Sequence, residues 1–163
     1  MATLENEQFK GPHSVELEIC NKDRFNKGSL VEVCSDEDGF QGAWFAATVI
    51  NQVSSGNFLI QYKSLRNDED TEFLTEVVDS NHIRPHPVHE AVNHFCALEE
   101  VDALYNDGWW VGVISKVVGK QKYEVYFRGT DEEMVFKQSD LRRHQEWISG
   151  KWVSSSLEGI FKN

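Results

Sequence analysis

Short runs in which apolar and polar residues alternate, each closed by Gly, Asn or Asp, fill most of this chain. In the run from Trp44 to Ile50, Trp44, Ala46 and Thr48 share one face of an extended chain, and Phe45, Ala47 and Val49 share the other. Period-two alternation over roughly four to eight residues predicts strands, and turns at close spacing predict small barrels. The expected strands are 29–34, 43–51, 56–63, 71–77 and 81–84, then 95–101, 109–117, 121–128, 132–137 and 140–143. Turns fall at Glu37-Asp38-Gly39, Ser54-Ser55-Gly56-Asn57, Arg66-Asn67-Asp68, Asn106-Asp107-Gly108 and Gly119-Lys120, where residues tolerant of unusual backbone angles cluster. A further short strand is expected at Val15-Glu16-Leu17-Glu18-Ile19, and residues 146–153 alternate as an added edge strand would.

The two sets of five strands repeat one pattern. Gly42-Ala43-Trp44-Phe45-Ala46-Ala47 lies over Asp107-Gly108-Trp109-Trp110-Val111-Gly112, and Trp44 to Tyr62 and Trp109 to Phe127 are both eighteen steps. Ile83-Arg84 and Leu141-Arg142 close the two copies. The organisation is therefore an extension at 1–25, one module at 26–87, a second at 91–146, and a tail at 147–163. A module of about 60 residues buries too little surface to be comfortable alone, so the fold class is all-β with two small barrels packed in tandem. Pro85-His86-Pro87 ends the first copy, and the linker is short enough to place the modules rigidly.

Composition narrows the function. The net charge is −11, with −7 from 11 acids and 4 bases in residues 26–90. Such a field repels nucleic acid, whose phosphates need Lys and Arg, and attracts basic ligands. The acids gather in loops, as Asp36-Glu37-Asp38, as Asp68-Glu69-Asp70 with Glu72, and as Asp131-Glu132-Glu133. No apolar run is long enough to span a membrane, and three cysteines without close pairing fit a reducing compartment. His86, His89, His94 and Cys96 lie within eleven residues but straddle a proline linker without the paired spacing of a structural zinc site, so no metal or cofactor is expected. No nucleophile–base spacing or phosphate loop stands out, and an enzyme is not expected.

The aromatics carry the positive signal: ten Phe, five Trp and four Tyr exceed what two small cores require. Rings left over beside acidic loops suit a methylated ammonium, which gains cation–π attraction from several faces at once. By parity, one face of each long strand must feed a barrel core, so about half of these rings are structural and the other half stay open.

Gly42-Ala43-Trp44-Phe45-Ala46-Ala47, the strand ending at Tyr62 and the closing Ile83-Arg84-Pro85 resemble a plant Agenet domain of the Tudor-like royal superfamily; the second copy resembles another. The same phrase occurs in the first Tudor of a mammalian tandem-Tudor ubiquitin ligase that reads methylated lysine nine of histone H3. Carried over, that resemblance implies a methyl-lysine cage of Asp38, Phe45 and Tyr62, which puts Trp44, and Trp109 at the equivalent position, on the core side, opposite Phe45 and Trp110. Leu65 stands where that cage has its second Tyr, and Phe40 is the candidate for the missing wall. In the second copy Trp110 and Phe127 match, with Tyr105 nearby; the position matching Asp38 is Ala103, so Asp107 or Asp131 would have to substitute. The first copy is thus the expected reader, and the second a wall of a groove between the barrels. Asp36, Glu37, Asp68, Asp70 and Glu72 are the expected contacts for flanking unmodified basic residues. The resemblance further implies a nuclear, monomeric reader of the histone H3 amino-terminal tail, favouring dimethylated lysine nine and serving heterochromatin silencing. An adaptor of the fragile-X type, binding protein or RNA, is the alternative.

Overall fold

The computed structural model describes residues 25–88 and 90–154; the short strand expected at 15–19 lies outside them. Five strands build the first module: β1 (Leu30–Cys34), β2 (Ala43–Ser54), β3 (Asn57–Arg66), β4 (Phe73–Asp79) and β5 (Ile83–Pro85). The second repeats them as β6 (Glu100–Tyr105), β7 (Gly108–Gly119), β8 (Lys122–Phe127), β9 (Glu132–Lys137) and β10 (Leu141–Arg143), with one 3₁₀ turn at Gln138–Asp140. Every pairing is antiparallel, and all ten strands belong to one continuous sheet.

What joins the modules is the division of one strand edge. One edge of β2 pairs with β1; the other pairs with β3 from Ala47 onward and leaves Ala43 to Phe45 unclaimed. β7 is built the same way, and its free stretch pairs with that of β2, as Ala43 with Trp110, Trp44 with Trp109, and Phe45 with Gly108. Irregularities at Val49/Asn51 and Ile114/Lys116 bend both long strands, so each can serve its own barrel and the seam. Trp44 opposite Trp109 is the centre of an approximate two-fold relation.

Each barrel has its own core. The first is built on Val31, Val33, Ala43, Phe45, Ala47, Val49, Phe58, Ile60, Tyr62, Val78 and Ile83, the second on Phe95, Val101, Ala103, Ile114, Tyr123, Val125, Phe136 and Leu141. The faces implied by the resemblance are reversed here: Phe45 is 3% exposed within the first core, while Trp44 and Trp109 are only half-buried and belong to neither core. Both tryptophans face the seam, where Arg84 lies over Trp44 at 3.9 Å from the ring centre and Arg142 over Trp109 at 4.1 Å. Covered on both sides, β1 buries Val31, Glu32 and Val33 in succession, and β6 does the same with Val101, Asp102 and Ala103.

Glu32 is the hub of that seam. Its Oε1 accepts from Arg84 Nη2 at 2.8 Å and Arg142 Nη2 at 3.0 Å, and its Oε2 from Arg142 Nη1 at 2.7 Å. Asp102 takes Arg142 Nε at 3.0 Å and His144 Nδ1 at 2.6 Å. Two carboxylates against two guanidiniums keep the cluster close to neutral, and among the described residues no buried side-chain polar atom lacks a partner. That is the condition for burying charge without a heavy penalty.

Two expectations shift. The strand placed at 95–101 forms instead at Glu100–Tyr105, because Leu98 adopts φ 71 and breaks the extended run before it. The alternating 146–153 stretch does not extend the large sheet; it folds on itself as β11 (Gln145–Ile148) and β12 (Lys151–Ser154). Ser149 at φ 49 and Gly150 at φ 74 give this hairpin its two-residue turn. It docks through Trp152, whose ring centre lies 5.0 Å from Arg84, and through the Gln145 carbonyl, which accepts from Arg84 Nη1 at 3.3 Å.

Candidate functional site

Three aromatic rings of the first module converge at one end of its barrel. Phe45 comes from the start of β2 and Tyr62 from β3, where it pairs with Ala47; their ring centres are 6.4 Å apart at 89°. Phe40 hangs over Phe45 from the β1–β2 loop at 5.9 Å and 63°. The loop, 35–42, is braced by Phe40 N–H to the Glu37 carbonyl, Ala43 N–H to the Phe40 carbonyl, and Gln41 Nε2 to the Asp36 carbonyl. Phe45 and Tyr62 are 3% and 6% exposed and Phe40 is 42% exposed, so Phe40 is the open wall and the other two are the floor.

Acid surrounds this end. The Tyr62 hydroxyl donates to Glu76 Oε2 at 2.5 Å. Burial, then the bond to Glu76, then the nearby charges of Glu76 and Glu37, push that phenol well above its usual range. Negative potential therefore bears on the rings. Asp38 is exposed two residues before Phe40. Antiparallel β3 runs on past Tyr62 to Arg66, which carries the acidic turn Asp68 to Glu72 toward the same end as loop 35–42. Asn67 organises that turn, its Oδ1 accepting from the Thr71 and Glu72 backbone N–H at 2.9 and 3.3 Å. Asp70 is partly committed, pairing with Arg66 at 3.6 Å.

Asp36 has a structural task as well. Its Oδ2 is 2.6 Å from His82 Nε2, and His82 Nδ1 is 2.8 Å from Asp79 Oδ1. Asp79 first, then Asp36, raise the His82 pKa. The imidazole thereby ties the Phe40 loop to the β4–β5 turn.

The second module's candidates divide. Phe127 packs against the second core, at 5.9 Å and 73° to Phe136. Asp131 accepts from the Tyr126 hydroxyl at 2.5 Å. Tyr105 is 43% exposed, and its carbonyl accepts from Trp110 Nε1 at 2.9 Å. Trp110, the counterpart of Phe45, packs instead against the first module's core, as Leu65 also does. The proposed match of Asp38 with Ala103 fails: Ala103 is a buried strand residue paired with Trp110, and the β6–β7 connection is only Asn106-Asp107, so loop 35–42 has no equivalent there. Glu76, His82 and the seam charges were missed by sequence reasoning. Only Glu76 left a trace, as a lone acid in the row Leu74, Glu76, Val78.

The fold and the ring cluster define a tandem pair of Tudor-like barrels. The chain belongs to the Agenet domain family, whose pattern matches residues 28–88 and again 98–155. It is 43% identical over 131 residues to the Arabidopsis thaliana protein AGENET DOMAIN (AGD)-CONTAINING P1, covering 80% of this chain and 25% of that protein. A second Arabidopsis relative, DUF724 domain-containing protein 6, is 35% identical over 148 residues, 87% of this chain and 21% of its own length. The chain thus spans about a fifth to a quarter of the length of these curated relatives. Among solved structures, Arabidopsis AGDP1 AGD34 superposes with a TM-score of 0.78 at 41% identity, covering 85% of this chain and 97% of that one. The ADCP1 tandem Agenet domain 3-4 gives 0.75 at 34% identity, covering 89% and 96%.

Proposed function

We propose that this tandem Agenet pair is a reader of the histone H3 tail, taking a methylated lysine, dimethylated lysine nine in the first instance, between Phe40, Phe45 and Tyr62. The observation that carries this reading is the set of three rings meeting at steep angles, with the Tyr62 hydroxyl held by Glu76. Ring faces attract a methylated ammonium that has few protons left to donate, and the acids add charge complementarity. Phe45 and Tyr62 are nearly covered, so the ammonium reaches them as the Phe40 loop swings aside. Asp38 stands at the mouth, and Asp36, Glu37, Asp68, Asp70 and Glu72 draw in the unmodified basic residues on either side of the mark. Such a reader works in the nucleus, at silenced chromatin, without a catalytic step.

The test is a calorimetric titration of H3 peptides carrying zero to three methyl groups on lysine nine, at low and raised salt. Tighter binding of methylated peptides, weakened by salt, supports the reading; equal affinity for all four removes it. Phe40→Ala is the informative variant, because an exposed loop ring can be lost with little change in stability while affinity falls about tenfold.

A further inference from the structure

The ring cluster of the first module is not completed by its own barrel. Ala43 pairs with Trp110 and Phe45 with Gly108 across the seam. Residues directly opposite on antiparallel strands share a face, so the Trp110 side chain stands on the same side of the sheet as Phe45, as its diagonal neighbour. Diagonal neighbours stand about 7–8 Å apart, within reach of an aromatic side chain. Trp110 in fact packs against the first core. Two residues before Trp110 on the same face, Gly108 leaves room for the Phe45 ring, since a Cβ built there would stand 2.8 Å from Phe45 Cε1 and 2.9 Å from Cζ. The indole is oriented by its Nε1–H bond to the Tyr105 carbonyl, and the ring keeps part of its surface open.

The geometry points to Trp110 as a wall of the methyl-ammonium site, supplied by the second module to the first. This rests on the reading of Phe40, Phe45 and Tyr62 as that site. Leu65 also packs here and offers no π-face, whereas an indole offers the strongest ring face available to a cation. The second module therefore contributes a binding residue as well as a surface, and the paired modules make one site. Trp110 and Gly108 act on it together, one as a wall and the other as the gap that the Phe45 ring occupies at the seam.

The experiment uses the whole chain and an H3 tail peptide dimethylated at lysine nine, beside the unmodified peptide. Trp110→Leu keeps apolar volume and removes the ring. It should weaken the dimethylated peptide about tenfold, by more than it weakens the unmodified peptide, and melt near the wild-type temperature, with Trp110→Phe recovering much of the loss. Should Trp110→Leu fail to fold, the wild-type indole N–H resonance, assigned by its disappearance in Trp110→Phe, supplies the readout; it should move with the dimethylated peptide and hold still with the unmodified one. Full affinity in Trp110→Leu while Phe40→Ala binds poorly overturns the cross-module wall and spares the first-module site, as does a Trp110 indole resonance that stays unmoved while the dimethylated peptide binds. Wild-type protein indifferent to methylation overturns both.

Discussion

Tyr62 carries two roles in one side chain, a ring face against Phe45 and a hydroxyl held by Glu76. Tyr62→Phe separates them. The ring and its burial stay, one hydrogen bond goes, and stability should fall by about 1 kcal/mol in a urea melt, with methyl-peptide affinity changed much less than in Phe40→Ala. Phe45 allows no such separation. At 3% exposure its truncation to Ala should cost roughly 3–5 kcal/mol, so lost binding in that variant would report lost folding. Side-chain identity was legible at these positions, while orientation was not. The rows Trp44-Ala46-Thr48 and Phe45-Ala47-Val49 each begin with a large ring, so hydropathy offered no choice between them. The decision came from Arg84, forty residues away, which draws Trp44 to the seam.

At the level of the element, alternation and turn residues placed most strands to within a few positions, because each strand has one face in a barrel core. It slipped at β6, although β1, covered on both sides as well, was placed within a residue. Glu100-Val101-Asp102-Ala103 reads as half loop, since the partners that make Asp102 burial tolerable, Arg142 and His144, lie some forty residues on. A like distance, from Asp36, hid His82 from the site. Strand β7 yields a sharp prediction. Gly108→Ala sets a methyl group against the Phe45 ring on a backbone fixed by pairing, and should cost roughly 1–3 kcal/mol in thermal melts while lowering methyl-peptide affinity, although residue 108 touches no ligand.

Across the whole molecule the seam makes two barrels one folding unit. Glu32→Gln halves the negative charge facing Arg84 and Arg142, and should cost about 3 kcal/mol or more, since a buried guanidinium left short of its counter-charge is expensive. Differential scanning calorimetry should show one transition in the wild type, and in Glu32→Gln a lowered or split one. His144 adds a pH dependence. Burial opposes its charged form, but Asp102 and Glu146 outweigh that and raise its pKa. A raised histidine stabilises fully below its unfolded value of about 6.5 and loses that contribution as pH climbs through the folded value. The melting temperature should therefore fall as pH rises through that folded value, above about 6.5, and His144→Gln should flatten that slope in melts taken across the range.

The near-equivalence of β2 and β7 raises the matter of mating between copies, which any protein carrying several such modules must control. Two first modules meeting edge to edge would place Ala43 where Gly108 now stands, and its methyl would stand 2.8 Å from the opposing Phe45 ring, once on each side of the dyad. A first module paired with a second meets that conflict nowhere. One missing carbon atom at residue 108 thus spares the first-with-second seam a clash that two first modules would meet twice.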